Sequence, residues 1–215
     1  MPKALDDLLP YVLPDLPGVS ETQAINALIS SAIEFCERSL VLQRDHDPIN
    51  LVAGRSAYDL DAPTGYLVHK VMKAWHRNSV LQPIAPDDMD DARLYNVHAA
   101  TEGWGTPSGY THKGERQIAL WPPPNEDLEK GLTVRIAIKP KRDVTQFDDD
   151  LYQDFIEVIA SGAKAKLQIT PGKPFSNPQV AGFNQALFTA GVNRAMVRAN
   201  KAHTRANLSV RMRRL

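Results

Sequence analysis

The apolar residues change their spacing twice along this chain. From Ser20 to Leu40 they recur at helical intervals, as Ile25, Leu28, Ile29, Ala32, Ile33, Cys36 and Leu40. Ser20 and Gln23 form a capping box at the start, where the hydroxyl takes up an orphan amide. Pro48 stops any long continuation. From Ile49 to Pro140 alternation replaces the helical spacing. Leu132, Val134, Ile136 and Ile138 alternate with Thr133, Arg135, Ala137 and Lys139, the pattern of a half-buried strand. Residues 57–60, 66–75, 80–84 and 116–121 read as further strands, with turns at Pro63-Thr64-Gly65 and Pro107-Ser108-Gly109. A short helix capped by Asp87 and carrying Leu94, Tyr95 and Val97 interrupts them. After Phe147 the helical spacing returns. Asp148 or Asp149 caps a helix through Leu151, Phe155, Ile156, Ile159 and Ala163. The run Thr170-Pro171-Gly172-Lys173-Pro174 breaks it. Asn177 and Pro178, cap and first-turn proline, then open the longest helix, through Phe183, Leu187, Val192 and Met196 to near Ala202.

The fold class predicted is α+β. A helical bundle core of residues 20–48 and 141–205 carries a β-rich insertion, residues 49–140, between its first and second long helices. Residues 1–19 form a docking arm, because Leu8, Leu9, Tyr11, Val12 and Leu16 make it too apolar for a free tail. Residues 206–215 form an extended basic C-terminal tail. A length of 215 residues suits one domain with an embellishment, and 43% hydrophobic content can fill a core. The single cysteine, Cys36, excludes an internal disulfide framework and lies on an apolar helix face, where a buried thiol is expected. No apolar run approaches the length of a membrane span, and the N-terminus lacks the features of a signal peptide. The expectation is a soluble protein made in the cytoplasm, without a membrane partner.

Charge changes the picture more. After Glu157 there is no acid, and the last 58 residues carry ten bases. The first 157 residues hold the other 15 bases and all 25 acids, so a formally neutral chain is −10 in one part and +10 in the other. Such asymmetry points to an anionic partner for the C-terminal end, or to head-to-tail packing against copies of the chain. Arg194, Arg198, Lys201 and Arg205 fall at helical neighbour spacing on one stripe, with Val192, Met196 and Ala199 opposite. The plain reading is a solvated helix face, weakened by the lack of a compensating acid nearby. Arg211, Arg213 and Arg214 have the character of a partner-binding peptide, with a solubilising disordered end as the equal alternative.

Catalytic chemistry is thin. His46, His69, His76, His98, His112 and His203 are scattered and read as surface histidines, and His69 and His76 fall on opposite sides of a strand. Asp87, Asp88, Asp90 and Asp91 lack the glycine and ligand spacing of a calcium loop. No phosphate loop, nucleophile elbow or His/carboxylate pair is present. The expectation is no enzyme, no metal and no cofactor.

The segment Ala32-Ile33-Glu34-Phe35-Cys36-Glu37-Arg38-Ser39 resembles the first helix of the head-to-tail adaptor (connector) proteins of short-tailed bacteriophages. Tyr58-Asp59-Leu60, the turn from Pro107 to Tyr110 and the strand from Ile118 into Pro122-Pro123-Pro124 fit the same family. The run from Ile159 to Leu167, then Pro171-Gly172-Lys173-Pro174-Phe175 and Asn177-Pro178, is the most specific match. The resemblance covers about residues 20–200. Two residues depart from it: Lys164, where an apolar residue is expected, and Phe175, where a larger aromatic is usual. The resemblance implies a structural virion protein of the neck, a homo-oligomeric ring of usually twelve copies. It would dock beneath the portal protein, extend the DNA channel, and attach tail nozzle or fibre proteins. On that reading Arg205, Arg211, Arg213, Arg214 and Leu215 bind the portal. Arg194, Arg198 and Lys201 face either the genomic DNA or a neighbouring subunit. A nucleic-acid-binding protein gripping DNA with its basic C-terminal helix is the competing reading, and a small hydrolase a third.

Overall fold

A computed structural model of the protein describes residues 2–89, 103–114 and 116–201. They divide between two compact units, one drawn from residues 1–42 and 139–215, the other from residues 43–138.

In the first unit β1 (Lys3–Ala4) leads into two short 3-10 helices, Leu5–Tyr11 and Leu13–Asp15. They turn Leu5, Leu8, Leu9, Val12 and Leu16 inward and leave Asp6, Asp7, Pro10 and Tyr11 exposed. The apolar arm therefore packs on its own subunit's helices. Helix α1 (Glu21–Ser39) starts where its cap predicts, with the Gln23 amide donating to the Ser20 hydroxyl at 3.3 Å. It ends on Leu40 in the left-handed conformation, φ 53°. Helix α2 (Asp149–Gln168) is capped by Asp148, and α3 (Pro178–Lys201) by Asn177, whose side chain accepts from the Val180 amide at 3.2 Å. Phe35 joins the three helices: it is fully buried, with ring centroids 5.0 Å from Phe155 and 6.5 Å from Phe188. Ile33, expected in that seam, is only half-buried, because the inward face of α1 is centred on Leu28, Ala32, Phe35 and Cys36.

The second unit holds β2 (Gln43–Asp45), β3 (Ile49–Leu51), β4 (Ala57–Asp59), β5 (Tyr66–His76), β6 (Ser79–Val80), β7 (Gln82–Pro83), β8 (Gly109–Lys113) and β9 (Gln117–Trp121). It also takes most of β10 (Leu128–Pro140). One sheet has the order β2-β10-β5-β6, with β3 also on β10; the other has the order β4-β9-β8-β7. In the second sheet β7 runs parallel to β8 and the remaining pairs are antiparallel. Gly109 opens β8 rather than sitting in the predicted turn. A Cβ there would come within 2.2 Å of the Ile84 side chain, so any larger residue would have to displace Ile84. Residues 86–89 are helical and already include Asp87, so Asp87 is not the cap. Leu94, Tyr95 and Val97 lie outside the described residues.

The expected helical bundle core is not what forms. The molecule is β-rich, with three sheets among the described residues, and one of these belongs to the same unit as the helices. That sheet pairs β1 with β11 (Gln146–Phe147), Lys3 opposite Phe147. The physical reason is closure of the core. Three helices leave apolar flanks on α1 and α2, and the unit covers them with non-helical chain, the 3-10 arm and the fully buried Phe147. The basic tail, residues 206–215, lies outside the described residues. Among the described residues no helix is long and apolar enough to cross a membrane.

Candidate functional site

Helix α3 carries Arg194, Arg198 and Lys201 together with exposed Val180, Phe183, Leu187 and Val197. Its inward face sets small residues around Phe188. Ala181, Asn184, Phe188, Gly191 and Ala195 are buried at intervals of three and four, with Val192 beside them. The glycines set the distance to α2: a Cβ on Gly191 would lie 2.3 Å from Val158, and one on Gly162 would lie 2.6 Å from Phe188. At the open end of this contact, the buried Asn184 amide donates to the Gln168 side-chain oxygen at 2.8 Å. Each satisfies the other's buried polar atom, which fixes the start of α3 against the end of α2.

The predicted cations do not behave as one stripe. Arg198 is half-buried and tied to α2. It donates to the Asp154 carboxylate at 2.7 Å, and its guanidinium lies 5.3 Å from the Phe155 ring centroid. Lys201 is half-buried, while Arg194 is exposed and has no ion-pair partner among the described residues. Arg194 and Arg198 border an open groove of about 650 Å³ between α2 and α3, with Tyr11, Tyr152 and Glu157 on its other sides. Arg205, Arg211, Arg213, Arg214 and Leu215 lie outside the described residues.

Elsewhere the C-terminal bases meet acids far away in sequence. Lys164 pairs with Asp15 of the arm, which accounts for a lysine where an apolar residue was expected. Lys166 meets Glu34 at 2.9 Å and donates to the Ser30 carbonyl and hydroxyl, both at 3.1 Å. Burial alone would raise the Glu34 carboxyl, but Lys166 and Arg38 hold it below its usual range. Compensating acids for Lys164, Lys166 and Arg198 are therefore present, on the arm, α1 and α2. Phe175, the other departure, is buried at 7% exposure.

What the sequence reading missed is an apolar stripe on the outer face of α3. Phe183 and Leu187, which mark the apolar spacing of the helix, are 63% and 44% exposed, and Val180 and Val197 are 39% and 51% exposed. The signal was available in the spacing. Positions 180, 183, 187, 194 and 197 share one helical face, about 110° from the small-residue face that packs on α2. Beside this stripe lies a second open groove of about 520 Å³, lined by Pro17, Pro174, Phe175, Val180 and Phe183.

The histidines are not all at the surface. His76 is buried, and His112 keeps its Nε2 in the interior without a hydrogen-bond partner among the described residues. Burial pushes both imidazoles below their ordinary pKa, with Arg77 adding to the effect at His76 and His69 at His112. His46 bridges two main-chain groups, with Nδ1 2.6 Å from the Asp47 carbonyl and Nε2 accepting from the Asp61 amide at 3.0 Å. His98 and His203 lie outside the described residues. Burial raises the Cys36 thiol far above its usual range, so it is no nucleophile at neutral pH. Among the described residues no group of three His, Cys, Asp or Glu is placed to hold a metal. Asp87 and Asp88 are exposed, and Asp90 and Asp91 lie outside the described residues.

No curated protein matches the chain. The model of one protein family, described as SU10 adaptor protein, matches residues 3–213. That span runs through both units, from β1 past the end of α3 into the basic segment. The chain therefore belongs to the SU10 adaptor protein family, a family of phage head-to-tail adaptors found in the neck or tail of the virion.

Proposed function

We propose that the protein assembles in the host cytoplasm as a closed ring, of twelve copies, beneath the portal. There it extends the DNA channel and gives tail components their attachment site. The family match over residues 3–213 carries this reading. The outer face of α3 supports it, since exposed Phe183 and Leu187 require a partner surface in the finished particle. The role is structural, with neither catalysis nor a cofactor. Arg205, Arg211, Arg213, Arg214 and Leu215 are the portal-docking segment, because they are basic and carry no core-forming pattern. Arg194 and Lys201 face the channel or a neighbouring subunit; Arg198 takes part only through the portion of its charge that Asp154 does not neutralise.

The test is removal of residues 206–215. The truncated chain should keep the melting temperature of the full chain and lose portal binding. Truncated protein that binds the portal as well as the full chain does would place the docking surface elsewhere.

A further inference from the structure

His46 sits at a joint between the two sheets of the unit formed by residues 43–138. Its backbone amide continues the pairing of β2 with β10, donating to the Val134 carbonyl at 2.9 Å. Its half-buried ring reaches the chain that leaves β4 on the other sheet, where Nε2 lies 3.0 Å from the Asp61 amide. One residue earlier, the Leu60 amide donates to the Arg116 carbonyl at 2.7 Å and ties the same chain to the start of β9. We infer that His46 is an acid-released clip between the two sheets: the neutral imidazole closes it, and a second proton on the ring opens it.

The two partners fix the position of the ring hydrogen. The Asp61 nitrogen is a main-chain amide and can only donate, so Nε2 must accept. The Asp47 oxygen, 2.6 Å from Nδ1, is a carbonyl and can only accept, so Nδ1 must carry the hydrogen. Both bonds together require the neutral ring. A proton added at Nε2 turns that acceptor into a donor aimed at another donor. The bond at Nδ1 survives, because an imidazolium still donates there, and the bond to Asp61 does not.

The charged groups on the segments that meet here favour release. Asp45 is held by Arg135 of β10 at 2.7 Å, and Asp59 accepts from Gln117 of β9 at 3.1 Å. Arg44 lies on β2 and Arg116 just before β9. Asp47 and Asp61 are exposed, beside the two bonded main-chain groups, where their carboxylates attract a charged ring outward. A neighbouring tie of β4 is insensitive in the same range. The Tyr58 hydroxyl accepts from the Val52 amide at 3.1 Å and donates to the Arg55 carbonyl at 2.9 Å, and burial pushes this phenol above its ordinary value. Acid therefore releases one joint and leaves the other.

The experiment follows amide hydrogen exchange and the histidine ring resonances of the full-length chain between about pH 8 and about pH 5, on either side of the ordinary imidazole value of about 6.5. The protection factor of the Asp61 amide should fall at least about tenfold across that range, with the same midpoint as the titration of the His46 ring. The Leu60 amide, bonded to Arg116, should keep its protection. His46→Gln, whose side chain can accept a hydrogen bond and gains no proton in this range, should remove the pH dependence at Asp61. Equal Asp61 protection at both ends of the range, or a midpoint that differs from that of the His46 ring, overturns the clip. A joint fall at Leu60 and Asp61 also overturns it, since that is general acid loosening of the kind that buried His76 and His112 produce. A pH dependence that persists in His46→Gln assigns the proton to another group and overturns it too.

Discussion

Burial holds His76 and His112 neutral, and this gives the fold a pH-dependent stability with a definite sign. Burial is the main cause at both residues, with Arg77 and His69 as the next contributors. A histidine whose folded pKa is depressed takes its proton first in the unfolded chain. Stability is therefore complete above the unfolded value, about 6.5, and is lost as pH falls from there toward the folded value. The melting temperature should drop between pH 7 and pH 5. A chain with His76→Asn and His112→Asn should show a flatter profile across that window, whatever its absolute stability. An unchanged slope would mean that neither residue is titrating. Asp45 acts in a separate window. Its hydrogen-bonded pair with Arg135, 2.7 Å at the closer oxygen, holds its carboxyl below the usual range, so its contribution is lost only as pH falls below about 4.

The contact of α2 with α3 depends on two glycines, and a third serves as its control. Alanine is the better helix former by about 1 kcal/mol. At Gly182, where an added Cβ meets nothing within 4 Å, that gain should appear as a higher melting temperature for Gly182→Ala. At Gly191 the same methyl would lie 2.3 Å from Val158, and overpacking costs about 1–3 kcal/mol. Gly191→Ala should therefore lower the melting temperature, as should Gly162→Ala against Phe188. Equal stabilisation at all three positions would show that the helices are free to move apart. Phe35 marks the centre of the same packing. Phe35→Ala should cost about 3–5 kcal/mol, since the ring is fully buried between Phe155 and Phe188. A loss under 1 kcal/mol in chemical denaturation would remove it from that position.

At the scale of the whole molecule, folding redistributes the charge. The chain reads −10 and +10 about residue 157, but the two units have different boundaries. Residues 43–138 hold 13 acids and 10 bases, and the other unit holds 12 acids and 15 bases, so −3 and +3 replace the larger values. The unit of residues 1–42 and 139–215 brings acids from the N-terminal segment to bases of the C-terminal one, as at Asp15–Lys164 and Glu34–Lys166. The arm is thus part of this unit's stability. Deleting residues 1–18 removes five buried apolar side chains, each worth about 1.5–3 kcal/mol. The deletion should yield an unstable or insoluble chain, in contrast to loss of residues 206–215. An arm-deleted chain with wild-type melting would show that the arm is an accessory and not core.

Some of this was written in local sequence. Ser20, Asp148, Asn177 and Pro178 mark the helix starts because capping involves residues within one turn. The alternation along β10 identifies its strand because neighbouring side chains point to opposite faces. The adaptor family was legible too, from the order of short motifs along the helical segments. Other features depended on contacts that periodicity does not encode. The apolar spacing of α3 marks it as a helix through Phe183 and Leu187 but does not say which face is buried. The close approach of α2 instead selects Ala181, Gly191 and Ala195 beside Phe188 for the interior and leaves Phe183 and Leu187 outside. The helical bundle core failed for a similar reason, since the 3-10 arm and a ribbon close a core that helical spacing assigns to helices alone. Lys164 finds Asp15 across 149 positions of chain. Local sequence determined where elements begin and what they are; tertiary structure decided which face of each is buried and which charges meet, because both depend on neighbours distant along the chain.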